Sequence, residues 1–224
     1  MTVNNEYVEW KSVAPKKEFV SGDKIPYLWL KKGNTYKVRP IHMPVHFFKY
    51  FHQNEGKLRT AICENPKTDP NYQIRHDTYA ELKKPSERYA MYAIDRADGK
   101  MKIMEGPPAV FKHFRLRFEA TGKKPGAGKE GGDWSITVDT KSSFDMYSVT
   151  YLEDTPLSSE EKDLVKEAMN QDRERLQKIY AIDESKDLEK KLFGPFDDSK
   201  SSSNNSEVVD DLVDNNENDE DLDF

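Results

Sequence analysis

Between residues 35 and 152 the chain falls into short runs in which apolar and polar residues alternate, the period-two signature of strands with one face turned inward. Tyr36-Lys37-Val38-Arg39-Pro40-Ile41 sets apolar against basic residues, and Val45 to Phe51 is rich in aromatics that favour a pleated surface. A turn at Asn54-Glu55-Gly56 leads into Leu58 to Cys63. The clearest hairpin joins Arg88–Asp95 to Lys100–Met104 through Ala97-Asp98-Gly99, because Asp-Gly between alternating runs is a strong short-range turn signal. Trp134–Asp139 and Met146–Leu152 complete the strand set.

Two segments change period. Gly106-Pro107-Pro108 resembles a helix start with proline in the first turn, and Val110, Phe111, Phe114 and Phe118 follow at helical spacing, although alternation there also permits a strand. Ser158-Ser159-Glu160-Glu161 is a capping box, which predicts a charged helix to about Tyr180 with Val165, Met169, Leu176 and Ile179 on its apolar face. Glu64 to Pro85 holds three prolines and few apolar residues, so it reads as a long loop or excursion. These patterns predict a mainly β fold, a small barrel of the OB type with added helices and a disordered acidic C-terminal tail. The expected divisions are an N-terminal extension packing on the body (1–34), the OB-fold domain (35–157), a C-terminal helix (158–192), and a linker with the tail (193–224).

Charge sharpens the picture. Residues 197–224 carry eleven carboxylates and one lysine, while the remainder holds 34 Lys+Arg against 30 Asp+Glu. A body of net +4 is thus joined to a tail of net −10, an asymmetry that points to a nucleic-acid partner. The tail buries too little to fold alone. Its last residues, Asp219, Glu220, Asp221, Leu222, Asp223 and Phe224, set an aromatic ring and a terminal carboxylate among acids, which suits capture by a basic, apolar pocket on another protein. The bland alternative is a solubilising extension, and the tail could also mimic a polyanion in the protein's own basic groove.

The body interleaves rings and cations, and single-stranded nucleic acid needs both, a π-face for each base and a cation for each phosphate. The stacking candidates are Tyr50, Phe51, Tyr89, Tyr92 and Trp134. The phosphate candidates are Lys49, Arg59, Arg96, Lys100, Lys102, Lys112 and Arg115, with Lys123, Lys124 and Lys129 in the glycine-rich loop 121–133. For any single ring, burial in the core is the commoner fate.

Other chemistries fare worse. The 121–133 loop misses the Walker spacing, since five residues separate Gly122 from Gly128 and Glu130 stands where a magnesium-binding hydroxyl belongs, so NTP hydrolysis is rejected. His52, Cys63 and His76 lack short zinc-ligand spacing, and no metal or other cofactor is expected. Asp69, His76 and Asp77 could be drawn as a nuclease cluster, but no motif supports them. A single cysteine rules out an internal disulfide, no apolar run approaches the roughly 18–20 residues of a membrane span, and residues 1–10 lack the features of a signal peptide. The expectation is a soluble, intracellular, non-enzymatic protein.

The pattern resembles the replicative single-stranded DNA-binding proteins, and the bacteriophage kind most. Tyr92-Ala93-Ile94-Asp95-Arg96, Gly99 to Ile103 and Pro108 to Lys112 look like the central part of the phage T4-type proteins. So do Asp133 to Thr137, Tyr147 to Thr150 and the turn Thr155-Pro156-Leu157-Ser158, over roughly residues 35–160 plus the tail. The resemblance implies an OB-fold, sequence-independent binding of single-stranded DNA in replication, recombination and repair, and a tail that recruits polymerase, helicase–primase or recombination factors. It implies residence in the cytoplasm of an infected bacterial host. Two features depart from the T4 type: the zinc-binding cysteines are missing, and residues 1–10 hold no Lys or Arg to support cooperative binding. The T7-type proteins, which lack zinc and dimerise through their tails, are the second comparison and leave a homodimer open. Alternatives of other classes are an RNA-binding OB-fold protein and an adaptor whose tail mimics DNA to bind a basic partner.

Overall fold

The computed structural model describes residues 25–123, 131–140, 146–167 and 173–195. Among them, eight strands form one mixed sheet: β1 (Tyr27–Leu28), β2 (Thr35–Pro40), β3 (Val45–Asn54), β4 (Lys57–Cys63), β5 (Ser86–Asp95), β6 (Met101–Gly106), β7 (Asp133–Val138) and β8 (Tyr147–Glu153). Five helices accompany it: α1 (Tyr72–Thr78), α2 (Pro108–Thr121), α3 (Ser159–Glu167), α4 (Arg173–Ile179) and α5 (Ser185–Phe193).

Local chemistry explains the turns. Asn54 pairs with Lys57, so β3 and β4 are joined by Glu55 (φ 52°) and Gly56 (φ 75°), the two positive-φ residues of a type I′ turn. The Asp95–Lys100 connection is tied by Gly99 N–H to the Asp95 carbonyl (2.8 Å) and by Ala97 N–H to the Asp95 carboxylate (2.9 Å). The segment after Gly106 resolves as helix, with proline in the first turn, and stops at Gly122 in the left-handed conformation. The capping box forms as predicted: Glu161 N–H donates to Ser158 Oγ (3.1 Å), and Ser158 N–H donates to the Glu161 carboxylate (2.8 Å).

The order β1-β6-β5-β2-β7-β8 runs across the sheet. The N-terminal half of β5 pairs with β3 and its C-terminal half with β2, so β2 and β3 act as successive arms along one flank of β5. The expected closed barrel is not found, because among the described residues no pairing joins β4 to β8 or β1. The backbone of β4 is instead met by Asp183, whose carboxylate accepts from Ile62 N–H (2.9 Å) and whose N–H donates to the Ile62 carbonyl (3.0 Å). That contact satisfies groups a closing strand would have used.

Both faces of the sheet are covered. On one, Met91, Ala93, Met104, Trp134 and Ile136 pack against Val110, Phe111 and Phe114 of α2. On the other, Ile41, Phe47, Tyr92, Ile94 and Ile103 pack with Val165, Leu176 and Tyr180 of the C-terminal helices. A third cluster joins Tyr50, Ala61 and Cys63 to Leu82, Leu188 and Leu192. Over 158–192 the described residues hold α3, α4 and α5; residues 180–184 separate α4 from α5, and residues 168–172, between α3 and α4, lie outside the described residues. Ile179, expected on the apolar face, is 40% exposed, and Met169 lies outside the described residues. The 64–85 excursion contains α1, pinned by a buried Arg75–Asp69 ion pair. No helix among the described residues is long and apolar enough to cross a membrane.

A buried charge network locks β2, β5 and β7 together. Asp133 accepts from Arg96 Nε and Nη2 (2.9–3.1 Å), lies 3.9 Å from Arg39 and 3.7 Å from Lys37, and Arg96 also pairs with Glu161. Arg39 donates to the Thr155 carbonyl (2.7 Å). Burial depresses the Arg39 pKa, and the Asp133 carboxylate works against that depression.

Burial pushes the Cys63 thiol pKa up to about 12, so little thiolate exists near neutrality. Cys63 should therefore resist an aromatic disulfide reagent at pH 8 in the native protein and react fully in denaturant. Rapid native labelling would place the residue outside the core.

Candidate functional site

The structure divides the predicted stacking residues. Tyr50 and Tyr92 are 0% exposed and Trp134 is 2% exposed, so none of the three offers a face to a base. Alternation puts a ring on one side of a strand, but here both sides are covered by helices. Burial pushes the Tyr50 phenol up to about 12, and Trp134 meets Phe114 edge-on at 4.5 Å. Phe51 and Tyr89 remain partly exposed.

The predicted phosphate contacts divide as well. Arg96 is committed to Asp133 and Glu161, and Lys102 to Asp95 (2.7 Å) and Asp98 (2.8 Å). Burial alone would lower the Lys102 pKa, but the two carboxylates outweigh it and hold the ammonium charged. Arg59 donates to the Lys191 carbonyl at 3.3 Å. Arg115 has only an exposed pair with Glu119 (3.5 Å), a contact of small worth, and Lys123 lies 3.6 Å from Asp154. Lys100 and Lys112 project into solvent. Lys124, Lys129 and the tail residues Asp219 to Phe224 lie outside the described residues. So do residues 1–24 of the extension, whose remaining part enters the sheet as β1.

Two predicted residues do meet. Lys49 and Phe51 stand two apart on β3 and therefore share a face. The Phe51 ring lies 5.5 Å from Lys49 Nζ and 4.9 Å from the Arg88 guanidinium, a partly exposed ring flanked by two cations. Lys49 also bonds both oxygens of Glu105 (2.8 and 3.0 Å), which accepts from the Tyr180 hydroxyl at 3.0 Å. The parallel register Tyr27↔Ile103, Leu28↔Met104 carries Trp29 to the level of Glu105 on that face. Trp29 is 48% exposed and stacks on Tyr27 at 5.1 Å and 17°. From β1 across β6 and β5 to β3 is three strand spacings, about 14 Å. Glu105 pairs with Ala90 and Ala90 with Val45, so Phe51 lies six residues further along β3, about 20 Å. Trp29 is thus a separate exposed ring on the same face as the Lys49, Arg88 and Phe51 cluster.

On the opposite face Tyr89 stacks on His46 (4.7 Å) and on Phe111 (5.4 Å), and its hydroxyl donates to Glu87 (3.0 Å). Burial raises the Tyr89 phenol pKa, as does Glu87, while the nearby Arg115 cation pulls it down. The structure thus brings Tyr89 and Arg115 together as well.

Sequence reasoning missed Trp29 and Arg88. Tyr27-Leu28-Trp29-Leu30 carried the signal, since alternating rings and leucines place both rings on one face, but the segment sat in a turn-rich extension. The drawn nuclease cluster does not converge, because Asp69 is paired with Arg75 and Asp77 accepts from Gln73 at 2.8 Å. Among the described residues no three His, Cys, Asp or Glu side chains gather as a metal site.

No protein-family model matches the chain, and no curated protein matches it.

Proposed function

We propose that the protein binds single-stranded DNA, largely without regard to sequence, and shields replication, recombination and repair intermediates while its acidic tail recruits replication proteins. The partly exposed Phe51 ring carries the reading, because an open aromatic face on a sheet is what a base stacks on. Lys49, bonded to Glu105, and the buried Arg88 hold that ring in place, and the solvent-facing Lys100 and Lys112 are left to meet phosphates. The charge split between body and tail supports it. The sheet is then an elaborated OB-type platform, with β2 and β3 as the two arms of a bent strand along β5. The chemistry is binding rather than catalysis, and the bacterial cytoplasm during phage infection is the fitting compartment.

A tryptophan-fluorescence titration tests this, with exposed Trp29 as reporter. Quenching by a single-stranded oligonucleotide, a weak response to its duplex, and tighter binding by residues 1–196 than by the full chain are the expected results. Affinity should also fall steeply with salt as counterions are released. Salt-insensitive binding would remove the phosphate contacts from the proposal. Silence from both forms would overturn the reading and leave the tail as the functional element of an adaptor.

A further inference from the structure

Beyond Cys63, β4 ends while β3 continues to Val45, and a surface concavity of about 400 Å³ opens in the notch. That volume falls within the range of small-ligand pockets. His46 and Phe48 of β3 line one side, Tyr180 and Ile182 another, and Glu64 and Asn65 a third. His46 meets Phe48 at 5.1 Å, and Ile182, 56% exposed, sits at the rim. The walls are largely aromatic and aliphatic; the His46 ring nitrogen is already engaged with Glu87 at 2.9 Å, and Glu64 and Asn65 are two adjacent polar side chains on the third side.

Those two side chains have a definite hydrogen-bonding pattern. The Glu64 carboxylate is exposed and has no hydrogen bond or ion pair among the described residues. It can only accept, through two oxygens. Asn65 Oδ1 already accepts from Lys67 N–H at 2.9 Å, which leaves the amide NH2 as the donor still to be satisfied. The pair offers two acceptors beside one donor. Of the nucleobases, guanine presents the complement on its Watson–Crick edge: N1–H and the 2-amino group to donate, O6 to accept. Adenine and cytosine each present one donor, the exocyclic amine, and thymine presents only N3–H.

We propose that this concavity is a guanine subsite, with Glu64 accepting from N1–H and the 2-amino group, Asn65 donating to O6, and the ring held between the His46–Phe48 wall and Ile182. The subsite rests on the single-strand reading for how guanine arrives, as one splayed base of a bound strand. Its neighbour His46 stacks on Tyr89 near Arg115, with Glu87 paired to His46 and accepting from Tyr89, so a strand stacking along that rim of mixed charge passes the mouth of the notch. Most bases would be held by sequence-tolerant stacking, and this position would set a register.

The test uses the full chain. Fluorescence anisotropy compares a dT oligomer with the same oligomer carrying one central dG, dI, dA or dC, and NMR follows the His46 ring signals during titration with free GMP or CMP. The expected result is about tenfold tighter binding of the dG oligomer than of dT alone, from one bidentate base contact. The dI oligomer, which lacks the 2-amino group, should fall between. Glu64→Gln should remove the difference between dG and dT, and Ile182→Trp, which fills the notch from an exposed position, should remove it too. GMP should shift His46 and CMP should not. Equal binding of all oligomers with His46 silent to GMP overturns the subsite. If no oligomer binds, the single-strand reading fails on its own. A GMP shift abolished by Glu64→Gln would then assign the notch to free guanine nucleotide, and no shift would overturn it.

Discussion

Replacing Asp133 with asparagine should destabilise the protein by about 3–5 kcal/mol, the usual consequence of removing one partner from a buried ion pair. Asp133 is 1% exposed and answers Arg96 and Arg39 together, with Lys37 at the rim. The neutral amide would take from Arg96 the carboxylate it bonds at 2.9–3.1 Å and remove the charge that works most against the burial of Arg39, itself 1% exposed. The total stability of such a domain is about 5–15 kcal/mol, so the loss takes a large share of it. Urea denaturation monitored by circular dichroism checks the value. A change below about 1 kcal/mol would show that water reaches the network and that Asp133 is not the buried anion described.

The second large effect concerns binding. Phe51→Ala and Trp29→Ala should each weaken single-strand affinity by roughly 5- to 150-fold, corresponding to about 1–3 kcal/mol for each lost base stack. Both rings are partly or largely exposed, so the far-ultraviolet dichroism should stay near that of the parent. Tyr92→Ala and Trp134→Ala should behave in the opposite way, losing several kcal/mol of stability through a core cavity. If Phe51→Ala binds as the parent does while Tyr92→Ala, still folded, loses affinity, the binding face is misplaced.

Local chemistry on the chain was enough for much of this protein. Gly56 and Gly99 sit where the turns need positive φ, Ser158 and Glu161 cap α3, and the alternation of β2, β3, β5 and β7 is visible residue by residue. The charge split of body and tail is a property of composition alone. These features depend on neighbours within a few residues, so one sequence suffices to read them.

What covers each face depended on tertiary structure. Tyr50, Phe51, Tyr89 and Tyr92 look alike in an alternating strand, and only the seating of α2, α4 and α5 decides which are sealed in and which stay open. The same holds for the cations. Arg96 and Lys102 read as free charges until the fold sets Asp133, Glu161, Asp95 and Asp98 against them, whereas Lys49 and Arg88, far apart in sequence, converge on one ring. Strand pairing likewise lifted Trp29 from a turn-rich extension onto the sheet. A residue's periodicity fixes its side of an element, but its exposure and its ionic partners are set by segments tens of residues away.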